Sequence, residues 1–188
     1  MLAIRLGGNW RSAWLAAVAF GLGTIAFTYA RAFFAEPLLS FLVAAALYLA
    51  IGRTPRDILL ATVLAALAML AKPTGIVVGP ILAAYLLLRR VPFWRSIQPM
   101  VGTGLGFIVY AAYNVIRFGN PLNFGPPWRF GFPNFVSAFA GLLVSPGYGL
   151  LWFCPPVILA FVGIRRAAPK KMAEALAILS ITLAFLVL

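Results

Sequence analysis

Long apolar runs follow one another along the chain, separated by short segments that carry charges, Pro or Gly. Seven such runs are found, at residues 12–30, 37–51, 58–71, 74–88, 97–115, 148–164 and 173–188. A helix that crosses a bilayer needs about 20 predominantly apolar residues. The chain is 64% hydrophobic and 10% charged, whereas soluble domains are usually about 45–50% apolar. The sequence therefore predicts an all-α, polytopic transmembrane bundle of about seven membrane helices, forming one domain over residues 1–188.

Residues 58–88 admit two interpretations, one long helix or a short helical hairpin that turns at Lys72-Pro73. The positions of Lys and Arg distinguish them, because these residues concentrate in cytoplasmic loops. With a hairpin and a cytoplasmic N-terminus, eleven of the fifteen cations lie inside, and the outside holds Arg31, Lys72, Arg117 and Arg129. With one long helix, eight lie outside and Lys72 is left in lipid. We therefore predict the hairpin, since Pro73 also disfavours helical geometry at Lys72.

The remaining composition excludes several classes of site. A formal net charge of +12 suits nucleic-acid binding only when the cations form a basic face on a folded module. Here they stand singly or in small clusters between apolar runs, so no nucleic-acid partner is predicted. The chain has no His and one Cys, which excludes an internal disulfide and a His/Cys metal cluster. The sequence indicates no metal and no cofactor.

The charged residues on the predicted outer side need their own explanation. They are Arg31, Glu36, Lys72, Arg117 and Arg129. Taken singly, each can extend to lipid headgroups or form a structural pair, as Arg31 would with Glu36. Taken together, four cations on one side suit an anionic ligand, because Arg and Lys both bind phosphate oxygens. A lipid-linked phosphate at the outer leaflet is such a ligand.

No complete catalytic set follows from residue spacing. Glu36 is the only acid on the predicted outer side, and it is the sole candidate for a general base. The glycines of GTGLG at residues 102–106 lie within an apolar run and indicate close helix packing rather than nucleotide binding. Residues 116–147 form the longest predicted loop, on the extracytoplasmic side. Within it, residues 134–144 are apolar enough for a short helix at the membrane interface.

Four segments, in order, resemble one family. They are ARAFFAEPLLSFLVAAALYLA (30–50), MLAKPTGIVVGPILAAYLLLRR (69–90), YNVIRFGNPLNFG (113–125) and GLLVSPGYGLLWFCPPVILAFVGI (141–164). This ordered set is similar to the GT-C superfamily of membrane glycosyltransferases, in particular its protein mannosyltransferase and lipid A aminoarabinose transferase branches. The resemblance implies a polyprenyl-phosphate-linked sugar as donor, transfer on the extracytoplasmic side by inversion, and a bacterial inner membrane protein. It also implies that Lys72 and Arg117 contact the donor phosphate, with Glu36 near the cavity.

The sequence departs from the family pattern at its start. In this family the catalytic carboxylate lies in the first extracytoplasmic loop, whereas MLAIRLGGNWRSAW resembles a later cytoplasmic turn, and no Asp lies on the predicted outer face. The resemblance therefore implies an N-terminally truncated piece of a longer enzyme, whose missing part would be a partner. The alternative is a non-catalytic membrane protein that binds anionic lipid or assists a partner.

The predicted topology can be tested with reporter fusions. A reporter placed after Arg95 is expected in the cytoplasm and one at Pro127 outside, because the charge distribution sets the orientation. Paired phosphatase and fluorescent-protein fusions measure both positions. The reverse pattern would contradict the seven-helix topology.

Overall fold

A computed structural model describes residues 1–24, 26–31, 34–123, 135–147, 149–158 and 171–187. Over these residues the chain is helical and contains no strand. The helices are α1 (Leu2–Arg5), α2 (Trp10–Gly23), α3 (Ala26–Ala30), α4 (Ala35–Gly52), α5 (Pro55–Ala71), α6 (Val78–Leu88), α7 (Phe93–Ser96), α8 (Gln98–Phe118), α9 (Phe135–Val144), α10 (Leu150–Phe153) and α11 (Met172–Val187). A 3₁₀ turn over Pro73–Val77 separates α5 from α6.

The predicted all-α class is confirmed over the described residues. Two helical segments, Ala35–Gly52 and Phe93–Phe118, are long and apolar enough to cross a membrane. Two further apolar helical segments are shorter, Pro73–Leu88 and Met172–Phe185. The predicted hairpin is also found, because the chain is extended at Lys72 (φ −158°, ψ 135°) and not helical. The full set of seven membrane helices stays a prediction.

Two predicted runs are interrupted. The run at 12–30 is divided at Thr24, whose hydroxyl donates to the Phe20 carbonyl at 2.7 Å and accepts from the Ala26 amide at 3.2 Å. Such local hydrogen bonds compete with the helical ladder. The run at 148–164 has four helical residues and then a turn at Pro155 and Pro156, which lack amide hydrogens. One uninterrupted helix is therefore wrong at both places; residues 159–164 lie outside the described part.

Helix boundaries follow local sequence signals. Asn9 caps α2 by accepting the Ser12 amide at 2.8 Å. Thr54 caps α5 by accepting the Asp57 amide at 3.1 Å, with Pro55 at the first helical position. Gly119 ends α8 in the left-handed region at φ 69°, where glycine carries no steric penalty. These local signals therefore mark the starts of α2 and α5 and the end of α8.

The closest packing joins α5 to α8 through small residues. A Cβ added at Gly102 would lie 2.5 Å from the Thr62 carbonyl oxygen, and one added at Gly106 would lie 2.7 Å from that of Ala66. The predicted packing role is thus confirmed for Gly102 and Gly106, whereas a Cβ at Gly104 would meet nothing within 4 Å. Because residues 62 and 66 match 102 and 106 in the same order, α5 and α8 run parallel.

The distribution of buried and exposed side chains on α8 is the opposite of that on a helix of a soluble protein. Its buried residues are small or polar, namely Pro99, Gly102, Thr103, Gly106 and Asn114. Its exposed residues are large and apolar, among them Leu105, Ile108, Val109 and Ile116, the last 86% exposed. Helices in lipid pack through small residues and direct large apolar side chains outward. This distribution supports a lipid environment for α8.

The bundle has two ends, which we name by one residue each. At the Arg89 end, Arg89 after α6 lies 3.7 Å from Glu174 at the start of α11. Arg5 of α1 is bound at this end as well, since its guanidinium donates to the Tyr48 carbonyl at 2.5 Å and stacks on the Tyr48 ring. At the Lys72 end lie the end of α5, the start of α4 and the 3₁₀ turn.

Helix α8 extends further into the long predicted loop than the sequence indicated. Helix α8 continues to Phe118, so the loop begins later than residue 116. The predicted short helix at 134–144 is confirmed as α9, Phe135–Val144. Residues 124–134 lie outside the described part. The position of α9 at a membrane interface stays a prediction.

The role of close packing is testable with two glycines of the same helix. Gly106→Ala is expected to lower the free energy of unfolding by about 1–3 kcal/mol, because the added methyl meets rigid backbone of α5. Gly104→Ala is the matched control, since a Cβ there has nothing within 4 Å; it should be neutral or stabilise by up to ~1 kcal/mol. Unfolding in increasing SDS, followed by circular dichroism, measures both. Equal effects would contradict the described α5–α8 contact.

Candidate functional site

Two adjoining cavities of about 680 and 890 Å³ lie beside the start of α4. They share Phe20, Glu36, Ser40 and Thr182 in their walls. The smaller one lies between α2, α3, α4 and the α10 region, and the larger one between α4 and α11. Because they share Glu36 and Ser40, the two spaces meet at the Lys72 end of the bundle.

The larger cavity is an apolar groove with a polar mouth. Its long walls are formed by residues of α4 and α11: Leu39, Val43, Leu47, Ile178, Ile181 and Phe185. Leu2 of α1 contributes at the far end, while Glu36, Lys72 and Thr74 contribute at the mouth. From Glu36 to Leu47, α4 rises about 16 Å at 1.5 Å per residue. The groove therefore suits a molecule with an extended apolar chain and a charged group at one end.

Lys72 is held at the mouth by its backbone. Its amide donates to the Ala68 carbonyl at 3.2 Å, closing the last turn of α5, and its own carbonyl accepts from the Gly75 amide at 2.8 Å. Gly75 is buried against the backbone of Ala68 and Met69, where a Cβ has no room. Pro73 and Gly75 thus turn the chain back tightly, and the Lys72 side chain lines the larger cavity.

Glu36 faces Lys72 from the first turn of α4. The Lys72 ammonium donates to Glu36 Oε1 at 2.6 Å. The two side chains are 39% and 37% exposed, so the pair opens to the cavity and is not sealed in the core. A carboxylate at a helix N-terminus and an ammonium at a helix C-terminus are each stabilised by the helix dipole. The α4 and α5 ends therefore favour this pair in addition to its own attraction.

The partner of Glu36 differs from the one that the sequence suggested. Arg31 was one candidate for a structural partner, but the ion pair that the structure gives Glu36 is with Lys72. Arg31 is exposed, and its guanidinium carbon lies 6.0 Å from the centre of the Phe27 ring. The Arg31–Glu36 interpretation is therefore wrong: Lys72 is distant in sequence, but the α4–α5 packing places it next to Glu36.

The mouth of the groove is recessed below the end of α8. Helices α5 and α8 run parallel, with Ala66 beside Gly106. Six residues further along each segment, Lys72 lies level with Ala112. Helix α8 continues to Phe118, which is about 9 Å further at 1.5 Å per residue. The backbone at Lys72 is extended and not helical. Backbone of this kind at depth is tolerated where it lines a protein cavity, and Thr74 of the turn does line it.

The other predicted phosphate ligands are not all brought to this mouth. Arg117 is exposed near the end of α8; it donates to the Tyr113 hydroxyl at 3.2 Å and lies 5.0 Å from the Phe118 ring. It is not in the wall of either cavity. Arg129 lies outside the described residues. The structure therefore joins Lys72 with Glu36, and it places Arg31 and Arg117 on exposed surface.

Three hydroxyl residues in the walls of the larger cavity were missed by the sequence interpretation. They are Ser40, Thr74 and Thr182. Ser40 stands four residues after Glu36 on α4, and this i to i+4 spacing places both on one helix face. That spacing was a signal that could have identified Ser40 from the sequence. Thr182 carried none, because its hydroxyl donates to the Ile178 carbonyl at 2.9 Å within an otherwise apolar run.

A second charged cluster lies at the Arg89 end. Glu174 is 3% exposed, accepts from the Tyr85 hydroxyl at 3.3 Å and lies 3.7 Å from Arg89. Among the described residues, Arg89 Nε and Glu174 Oε2 have no hydrogen-bond partner. The cluster joins α6 to α11 and is separated from the groove mouth by the length of the bundle. From the sequence, Arg89 served only to predict the membrane topology.

Comparison with known proteins identifies no relative. No protein-family model, no curated protein and no solved structure matches this chain. The resemblance to membrane glycosyltransferases therefore rests on the four sequence segments alone.

The choice of partner for Glu36 can be tested by a double-mutant cycle. Lys72→Ala and Glu36→Ala are expected to couple by about 0.2–1 kcal/mol in the free energy of unfolding, since the pair is partly exposed. Arg31→Ala is the matched control and should show no coupling to Glu36→Ala. SDS unfolding of the single and double variants gives both values. A larger coupling with Arg31 than with Lys72 would contradict the described site.

Proposed function

We propose that this chain is a membrane glycosyltransferase, or part of one, that transfers a sugar from a polyprenyl-phosphate-linked donor to an acceptor on the extracytoplasmic side. One observation supports this most: an apolar groove of about 890 Å³ carries a lysine at its mouth. A polyprenyl phosphate is an amphiphile with one apolar chain and an anionic group at its end. The groove would take the chain, and the Lys72 ammonium would contact the phosphate.

The surrounding charges favour an anion at the same end. In the proposed topology, Arg31, Arg117 and Arg129 face the compartment that Lys72 faces. Arg117 and Arg31 are exposed in the structure, so they raise the positive potential around the mouth without forming part of its wall. The proposal gives Lys72 a direct contact with the donor phosphate and gives the arginines a supporting electrostatic role.

The chemistry implied by the resemblance is an inverting displacement in which an acid activates the acceptor. In this chain Glu36 is the acid at the cavity, whereas Asp57 starts α5 and Glu174 starts α11, both at the Arg89 end. Glu36 is therefore the candidate base within this chain. A carboxylate supplied from outside this sequence is the other source consistent with the proposal.

A second function is favoured by the Lys72–Glu36 pair itself. A carboxylate that accepts a hydrogen bond from an ammonium at 2.6 Å is stabilised in its charged form and is a poorer base. This favours a membrane protein that binds anionic lipid, or assists a partner, without catalysing transfer. Release of polyprenyl phosphate from a polyprenyl-phosphate sugar distinguishes the two functions, because only the transferase produces it.

The proposed phosphate contact is tested by binding measurements in micelles. Lys72→Ala is expected to weaken binding of polyprenyl phosphate by about tenfold to a hundredfold, since a hydrogen bond to a charged group contributes about 1.5–3 kcal/mol. Arg117→Ala is expected to weaken it less, because Arg117 lies outside the cavity wall.

Arg56→Ala is the matched control for these variants. It removes one positive charge at the opposite end of α5 and should leave the affinity unchanged. Unchanged affinity in both Lys72→Ala and Arg117→Ala would contradict the proposal. A loss in Arg56→Ala equal to that in Lys72→Ala would show that net charge, and not the groove mouth, determines binding.

A further inference from the structure

The groove mouth holds one cation and one carboxylate, already bound to each other. Among the described residues in the walls of the two cavities, Lys72 and Glu36 are the charged ones. Their contact at 2.6 Å satisfies the Lys72 ammonium with a negative charge that belongs to the protein. A lipid phosphate that binds Lys72 must therefore displace Glu36 or share the ammonium with it.

A bare phosphate would meet an electrostatic penalty at this mouth. Once it contacts Lys72, the Glu36 carboxylate is left beside a second anion, and like charges at such distances repel. The described residues of the cavity walls include no second cation that would offset this repulsion. The repulsion is reduced when the ligand itself brings donors that hydrogen-bond the carboxylate.

A sugar attached to the phosphate provides such donors. The nearest sugar hydroxyl is joined to the phosphorus through the bridging oxygen and two ring carbons, so it stays beside the phosphate. Ser40 follows Glu36 on the same face of α4 and lines both cavities, so a hydroxyl-rich group would meet polar atoms there. The smaller cavity, which also has Glu36 in its wall, offers about 680 Å³ beside the groove for this group.

We propose that Glu36 is a specificity determinant of the cavity: it disfavours a bare lipid phosphate and favours a lipid phosphate whose attached group donates hydrogen bonds to it. This inference rests on the proposed binding of a lipid phosphate at Lys72. It assigns the two members of the ion pair to different parts of one ligand. Lys72 binds the phosphate, and Glu36 binds the sugar hydroxyls.

The test compares two ligands with the same chain, farnesyl phosphate and farnesyl phosphate carrying a hexose. Their dissociation constants are measured by thermophoresis on the full chain in nanodiscs of zwitterionic lipid. The wild-type protein is expected to bind the hexose-bearing ligand more tightly than the bare phosphate. Glu36→Gln is expected to tighten binding of the bare phosphate about tenfold, because the repulsion is removed while the pair is partly screened by solvent.

Asp57→Asn is the matched control, since it removes the same charge at the other end of α5. Supporting results are a tighter bare-phosphate affinity and a lost hexose preference in Glu36→Gln, with neither change in Asp57→Asn. If both ligands bind and Glu36→Gln equals wild type for each, the specificity role is wrong while the lipid-phosphate site stands. If neither ligand binds wild type or Glu36→Gln, the proposed function fails and the inference fails with it.

Thermal unfolding of each variant shows whether it is folded at the temperature of the binding assay. If Glu36→Gln is unfolded at the assay temperature, the binding test uses the double variant Glu36→Ala/Lys72→Ala instead. This variant removes both charges, so the mouth is neutral. That double variant should lose the preference between the two ligands. A retained preference would overturn the role given to Glu36.

Discussion

The close approach of α5 and α8 is the contact on which the other elements depend. Gly102 and Gly106 let the two backbones approach at Thr62 and Ala66. A larger residue at either position would separate the helices and with them α4 and α6, which pack on α5. Three alanines of α5, at positions 61, 65 and 68, are fully buried in the same core. Small residues thus build the α5–α8 contact, while large residues such as Tyr85 and Leu86 of α6 fill the core beside it.

This packing also explains where the open space lies. Gly102 and Gly106 bring α8 against α5, and Gly79 brings α6 against α8, whereas the groove lies between α4 and α11. The groove mouth is polar only because two helix ends meet there, one contributing Glu36 and the other Lys72. Helix termini tolerate charge better than helix interiors do. The candidate site is therefore located by the ends of α4 and α5.

Much of the architecture could be predicted from local sequence signals. Pro73 and the charge distribution located the hairpin, the GTGLG glycines located the packing face of α8, and apolar content located α9. The break at Thr24 could not be predicted, since it depends on which carbonyl a hydroxyl finds within an apolar run. The partner of Glu36 was also beyond reach, because Lys72 is 36 residues away and tertiary packing alone brings it near. Apolar periodicity reports burial and says little about such pairings.

The extended backbone at Lys72 has a consequence for how its charge is presented. Most lysines lose side-chain freedom when they bind a ligand, which weakens binding. Here the Cα position is fixed on both sides, by the hydrogen bond from the Lys72 amide to the Ala68 carbonyl and by the ring of Pro73. The ammonium is further restrained by Glu36 before any ligand arrives. Part of the conformational entropy of the Lys72 side chain is thus lost during folding. An anion that binds Lys72 replaces its contact with Glu36 and does not have to order a free side chain.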